Sequence, residues 1–344
     1  MAPTHYTRLT LAERPKTTIT PSTFKREVVP FDLKPGREEI LVKARYVSID
    51  PAMRGWLNDA RSYVPPVKIG EVMRAAVIAE VVETGQGSAF KKGDVVFGHF
   101  GWTEYAVVKD KHAERLHIQP GMEILDFLGP LGPTGMTAYF GLLDVGKVQA
   151  GETLVVSGAA GATGSIVCQI GKKRGAKVYA IAGSADKCAW LEREVGVDRA
   201  FNYKSATFYE DFRKQVGYLD VYFDNVGGDI LNFMLTRLKQ KARIVLCGAI
   251  ADYNTSKPKG LSSYTNLIAQ RAKMEGFIVF DYAKRYPEAQ RELASMLKDG
   301  SLKRKFHIVK GLENAPDALN LLFSGGNTGK LVVQVSDEGV KTKL

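Results

Sequence analysis

The stretch Leu154-Val155-Val156-Ser157-Gly158-Ala159-Ala160-Gly161-Ala162-Thr163-Gly164 constrains this chain more than any other. Three apolar, strand-forming residues run into a glycine-rich turn, and a helical segment follows from Ser165 toward Arg174, closed by Gly175. A short strand without polar alternation is one buried on both faces, as in a parallel sheet. Glycines let the backbone bend tightly and admit a close neighbour, and a helix start offers free N–H groups and positive potential to a phosphate. Against the pattern G-x-G-x-x-G, the second and third glycines fall on Gly161 and Gly164, and the first position on Ala159. The next strand, Lys177 to Ala182, arrives at the spacing of a strand–helix–strand unit. In that context the turn is read as dinucleotide-binding, rather than as a device for close helix–strand packing alone.

The end of that second strand selects the dinucleotide. NAD-binding versions place an acid about 20 residues beyond the turn to hold the ribose hydroxyls. Here the chain reads Ala182-Gly183-Ser184-Ala185-Asp186-Lys187, with no acid at the strand tip. Asp186 suits the first turn of the next helix. The ammonium of Lys187 can pair with a 2′-phosphate. NADP is therefore expected over NAD.

Before this region the chain reads as β. Ile40 to Ile49, Val72 to Val82, Val95 to Phe97 and Trp102 to Val108 are short β-prone runs separated by Gly/Pro turns, which suggests an antiparallel barrel-like unit. From about Gly121 apolar strands alternate with helices. Val178 to Ile181, Val221 to Phe223 and Ile244 to Leu246 are strands, and a helix is expected near Leu231 to Leu238. The fold class is thus α/β, with a doubly wound parallel sheet. After about residue 300, strands at Lys303 to Val309 and Lys330 to Val335 flank a helix from Asn314 to Phe323, and this tail is expected to return to the first unit.

Composition excludes several classes. The charge is +11, from 48 basic and 37 acidic residues among 344, but the basic residues are scattered. Nucleic-acid recognition would need a basic stripe or a known module, so no nucleic-acid partner is expected. Three distant cysteines, Cys168, Cys188 and Cys247, build neither a disulfide framework nor a zinc-ligand cluster and are read as small buried hydrophobes. His99, His112 and His117 sit in no metal-ligand pattern, and no metal is expected. Trp56 and Trp102 are read as core. The uncharged run Thr153 to Gly171 is interrupted by glycines and is read as strand–turn–helix rather than a membrane span. A soluble cytoplasmic protein is expected.

The chain resembles the zinc-free medium-chain dehydrogenase/reductases, in the branch of leukotriene B4 dehydrogenase/prostaglandin reductases, plant alkenal double-bond reductases and bacterial curcumin reductase. The resemblance rests on Tyr46-Val47-Ser48-Ile49-Asp50-Pro51-Ala52-Met53-Arg54-Gly55 and Gly135-Met136-Thr137-Ala138-Tyr139-Phe140-Gly141-Leu142. It rests also on Phe223-Asp224-Asn225-Val226-Gly227-Gly228, on Cys247-Gly248-Ala249-Ile250 with Tyr253-Asn254, and on Gly326-Asn327-Thr328-Gly329-Lys330. It implies a GroES-like catalytic β-barrel over residues 1–124, a Rossmann domain over 125–300 and a return to the catalytic domain over 301–344.

The same resemblance implies site roles. Gly161, Ala162, Thr163, Gly164 and Gly183 would contact NADP, with Lys187 and Tyr203 at its 2′-phosphate. Asn225 and Asn327 would bind the cofactor, and Met136 and Thr137 would lie along the nicotinamide. Tyr253 would stand near the nicotinamide ribose and the substrate carbonyl, with Tyr63, Tyr46 and Ala52 at the substrate pocket. Ala52 departs from the branch, which usually carries tyrosine there; a pocket aromatic is lost. The reaction implied is NADPH-dependent reduction of the C=C bond of α,β-unsaturated ketones or aldehydes, with the enolate stabilised by Tyr253, the cofactor ribose or both. The alternatives are a quinone reductase, a zinc-free hydroxyl dehydrogenase, or a non-catalytic NADPH- or nucleic-acid-binding protein. A homodimer is expected from the branch.

Overall fold

The computed structural model describes residues 3–336; the last eight residues of the expected C-terminal return lie outside the described residues. The elements in chain order are β1 (His5–Leu11), β2 (Phe24–Pro30), β3 (Glu39–Ser48), α1 (Ala52–Trp56), β4 (Val77–Thr84), β5 (Val95–Gly98), β6 (Tyr105–Lys109) and β7 (Ala113–Arg115). Then come α2 (Pro133–Phe140), β8 (Thr153–Val156), α3 (Ala162–Lys173), β9 (Lys177–Ala182), α4 (Ala185–Trp190), β10 (Arg199–Asn202), α5 (Phe208–Gln215) and β11 (Leu219–Asp224). The chain continues through α6 (Gly228–Met234), β12 (Leu238–Leu246), α7 (Asn266–Gln270), β13 (Lys273–Gly276), α8 (Tyr286–Lys298), β14 (Phe306–Lys310), α9 (Ala315–Ser324) and β15 (Lys330–Gln334).

The parallel sheet expected from the apolar runs has the order β10-β9-β8-β11-β12-β13. Successive residues of a strand face opposite sides. Accordingly Leu154 and Val156 enter a core with α2, α3 and α8, while Val155 enters a second core with Phe208, Phe212 and Ile230. All three are fully buried, and each contributes roughly 1.5–3 kcal/mol by leaving water. This is why β8 carries no polar alternation. The chain runs outward from β8 through β9 to β10, then crosses to β11 on the other side of β8. The loops after β8 and β11 therefore diverge and open a crevice, the place where ligands bind in such sheets.

The other body is the sheet β14-β15-β3-β4-β5-β7, with β6 also paired to β3. Its core joins Ile40, Val42, Val77, Ala79 and Val96 to Leu319, Leu331 and Val333 from the tail. Strand β15 pairs antiparallel with β3, Val333 opposite Val47. Strands β1 and β2 were not legible in the sequence, because Thr and charged residues carry much of their pattern; they pair with each other and dock through Leu9 N–H on Trp102 O at 2.9 Å.

Two sequence expectations shift. The helix expected to reach Leu238 is α-helical to Met234 and continues as a 3-10 turn over Leu235–Arg237, and Leu238 already begins β12. It starts earlier because Gly227 and Gly228, at φ +73° and +55°, turn the chain sharply after β11. The run at Val72 is not part of β4, which starts at Val77; Val72 makes only an isolated bridge to Thr10.

Candidate active site

A cleft of about 700 Å³ runs along the crevice between the two bodies, within the usual 300–1,000 Å³ of small-molecule sites. Its floor is the glycine turn. The left-handed residue there is Gly158, φ +57°, not Ala159, so the first-glycine requirement falls one residue earlier than the pattern placed it. A side chain on Gly164 would stand 2.5 Å from Gly158 O and 2.8 Å from Ala159 Cα, both backbone, so only glycine allows α3 to start here. Gly161 precedes the first turn of α3, and no side chain caps that helix end. The N–H groups of Ala162, Thr163 and Gly164 thus belong to a helix start lining the cleft. The second body closes on the same turn: Gly329 N–H donates to Ala160 O at 2.8 Å, and Asn327 lines the cleft beside it with its amide donating to Gly329 O at 3.0 Å.

At one end, Gly183 brings the backbone close under the Tyr203 ring, 3.0 Å from where a side chain would begin. Lys187 follows in α4, its ammonium donating to Gly325 O of the other body at 2.8 Å. Burial and the neighbouring Lys204 push the Lys187 ammonium below its ordinary pKa. Among the described residues neither lysine is paired with a carboxylate. Two ammonium groups and an exposed aromatic without a counter-anion fit a phosphate on a ribose beside a stacked base. Asp186 sits in the first turn of α4 and is not part of the cleft wall.

Beyond the turn, Asn225 stands at the tip of β11. Its amide donates to Ser157 O at 2.7 Å and its backbone N–H to Ser157 Oγ at 2.9 Å. Below it the buried Asp224 carboxylate accepts from Ser157, Tyr222 and the N–H groups of Val226 and Gly227. Burial raises that carboxyl's pKa, and the donors around it oppose the rise. The loop after β12 then carries Tyr253 over the crevice. Its hydroxyl accepts from Ala249 N–H at 3.1 Å and packs closely over Gly248, 3.2 Å from where a side chain would begin. Burial holds the Tyr253 phenol above its ordinary pKa, so it is protonated at neutral pH. Thr137, Ala52 and Tyr63 complete this end; Tyr63 is 46% exposed and accepts from the Trp56 indole N–H at 3.0 Å.

The structure does not bring two expected residues to the cleft. An extra residue in β3 between Ala44 and Tyr46 shifts the register against β4, and such a bulge turns the following side chain to the other face. Tyr46 thus joins a satellite cluster with Ala76, Ile78 and Leu128. Met136 precedes the cleft-lining Thr137 on α2, but one residue around the helix is enough to point it into the core. Three residues set aside in the sequence do line the cleft: Trp56, His99 and Cys247. Trp102 is core, as read. The i, i+4 spacing of Ala52 and Trp56 was the one local signal for the tryptophan. Burial and Asp224 push the Cys247 thiol up to about 12.

Comparisons with known proteins agree with this architecture. A family model described as the N-terminal domain of oxidoreductase matches residues 7–116, and one described as zinc-binding dehydrogenase matches residues 162–295. The NADPH-dependent curcumin reductase of Escherichia coli (strain K12) is 37% identical over 338 residues, 96% of this chain and 97% of that one. This chain belongs to the medium-chain dehydrogenase/reductase family. It lies in the branch of that family holding curcumin, 2-alkenal and prostaglandin reductases. A Bacillus subtilis (strain 168) member named YfmJ is 43% identical over 340 residues, 96% of this chain and 98% of its own. The crystal structure of CurA from Vibrio vulnificus in complex with NADPH superposes with a TM-score of 0.90 at 39% identity, covering 96% of this chain and 99% of that one. Among the described residues of this medium-chain reductase, no three His, Cys, Asp or Glu side chains are grouped to hold a metal ion, and no helix is long and apolar enough to cross a membrane.

Proposed function

We propose that this enzyme uses NADPH to saturate the C=C bond of α,β-unsaturated ketones and aldehydes. NADP is its cofactor. The unpaired Lys187 and Lys204 ammonium groups hold the 2′-phosphate, the glycine turn and the start of α3 hold the pyrophosphate, and Asn225, Asn327 and Thr137 hold the remainder. When bound, the dihydronicotinamide supplies a hydride.

The observation that carries this reading is the Tyr253 hydroxyl. Hydride addition at the β-carbon sends the alkene electron pair onto the carbonyl oxygen. A donor already aimed there lowers the barrier without reorganising. Tyr253 has its oxygen engaged by Ala249 N–H, so its own proton is free for the substrate oxygen. The α-carbon then takes a proton from Tyr253 or from water. Across the cleft, the Tyr63 and Phe280 rings, 6.1 Å apart, form an apolar wall with Trp56. Ala52 adds only a methyl group, leaving room for bulky substrates. The Cys247 thiol stays protonated at neutral pH, a poor nucleophile toward electrophilic alkenes.

A panel of an enone, a 2-alkenal, a quinone and a secondary alcohol tests the reading. NADPH consumption with the first two should yield the saturated carbonyl. Turnover of the quinone or alcohol alone, or an allylic alcohol as product, would reject it.

A further inference from the structure

The Arg54 guanidinium is 2% exposed, yet it pairs with no carboxylate among the described residues. It is held by oxygen dipoles: Thr17 O at 2.8 and 2.9 Å, Pro15 O at 3.0 Å and Asn58 Oδ1 at 2.7 Å. These partners all belong to the antiparallel body and fix the planar fork in one orientation. Its single Nε–H, shared with Thr17 O, also donates at 3.0 Å to Oδ1 of Asn254, 200 residues away and next to Tyr253.

That bond ties the Tyr253 loop to the other body. On its own side it is secured by Ala251 N–H to Val226 O at 3.0 Å and by Ala249 N–H to the Tyr253 hydroxyl. Past Asn254 the chain from Thr255 to Gly260 is exposed, and segments with few buried contacts open most readily. Arg54 also lies within α1, which presents Ala52 and Trp56 to the cleft. One hydrogen bond therefore joins the substrate-wall helix to the loop that carries the phenol.

We infer that Arg54 and Asn254 are positioning residues for the reduction: their hydrogen bond between the two bodies sets the Tyr253 hydroxyl against the substrate oxygen. This rests on the proposed role of Tyr253. Misplacing a reacting group by a fraction of a bond length is costly while leaving remote binding intact.

Asn254 is the residue to vary, since Arg54 keeps its other acceptors and the fold survives. Asn254→Ala should lower kcat for enone reduction about tenfold, with the NADPH Kd and Tm unchanged. Asn254→Asp keeps an oxygen acceptor for Arg54 and should restore kcat to within about twofold of the parent. In a Tyr253→Phe background, Asn254→Ala should cost nothing more, because its effect passes through the phenol. An unchanged kcat in Asn254→Ala, a loss that persists in the Tyr253→Phe background, or a parallel loss of NADPH affinity would overturn the inference. If Tyr253→Phe alone leaves kcat intact, the role of Tyr253 falls and the inference with it. If Tyr253→Phe is slow and Asn254→Ala is not, the inference alone fails.

Discussion

Lys187→Ala should raise the NADPH Kd roughly 30- to 150-fold and leave the NADH Kd within about twofold of the parent. The size follows from losing a charge-assisted contact to a phosphate, about 2–3 kcal/mol. The lysine already bonds Gly325 O across the cleft, and removing it deletes that contact whichever dinucleotide is used. The comparison with NADH therefore isolates the phosphate. Burial and Lys204 disfavour the charged lysine, so an incoming phosphate relieves as well as attracts it. Titrations of the two dinucleotides check this, and an equal loss for both would remove Lys187 from the 2′-phosphate site.

Tyr253→Phe should lower kcat about 100-fold, the cost of deleting one donor to a developing oxyanion. The NADPH Kd should not move, because the ring remains and only the hydroxyl is lost. Burial is the first cause of the raised phenol pKa, so the donating form is present below the ordinary tyrosine value of about 10 and somewhat beyond it. Activity limited by this group should stay level through neutral pH and fall only as alkali deprotonates the phenol. An unchanged kcat would assign the oxygen's stabilisation to the cofactor ribose or to water.

The parallel sheet was legible because burial on both faces writes an unbroken apolar run, and Leu154-Val155-Val156 is such a run. The glycine turn was legible for a similar reason: Gly164 sits where a side chain would overlap backbone, which only glycine permits. Gly158 escaped the pattern by one position: the left-handed φ falls there, where a side chain would begin 3.2 Å from Asn225 Cβ. Tyr46 was expected at the pocket from the resemblance alone; the bulge in β3 turns it into the cluster with Ala76 and Ile78, and an inserted residue of that kind leaves no local signal in the chain. His99 reaches the cleft through the meeting of distant segments, and the Arg54–Asn254 bond forms the same way. Such contacts belong to tertiary packing and leave no local period in the chain.

The most direct measurement follows the hydrogen. With NADPH carrying deuterium at C4 of the dihydronicotinamide and an enone as substrate, the label should appear on the former β-carbon of a saturated ketone. Deuterium on a carbinol carbon, with the alkene intact, would contradict the account.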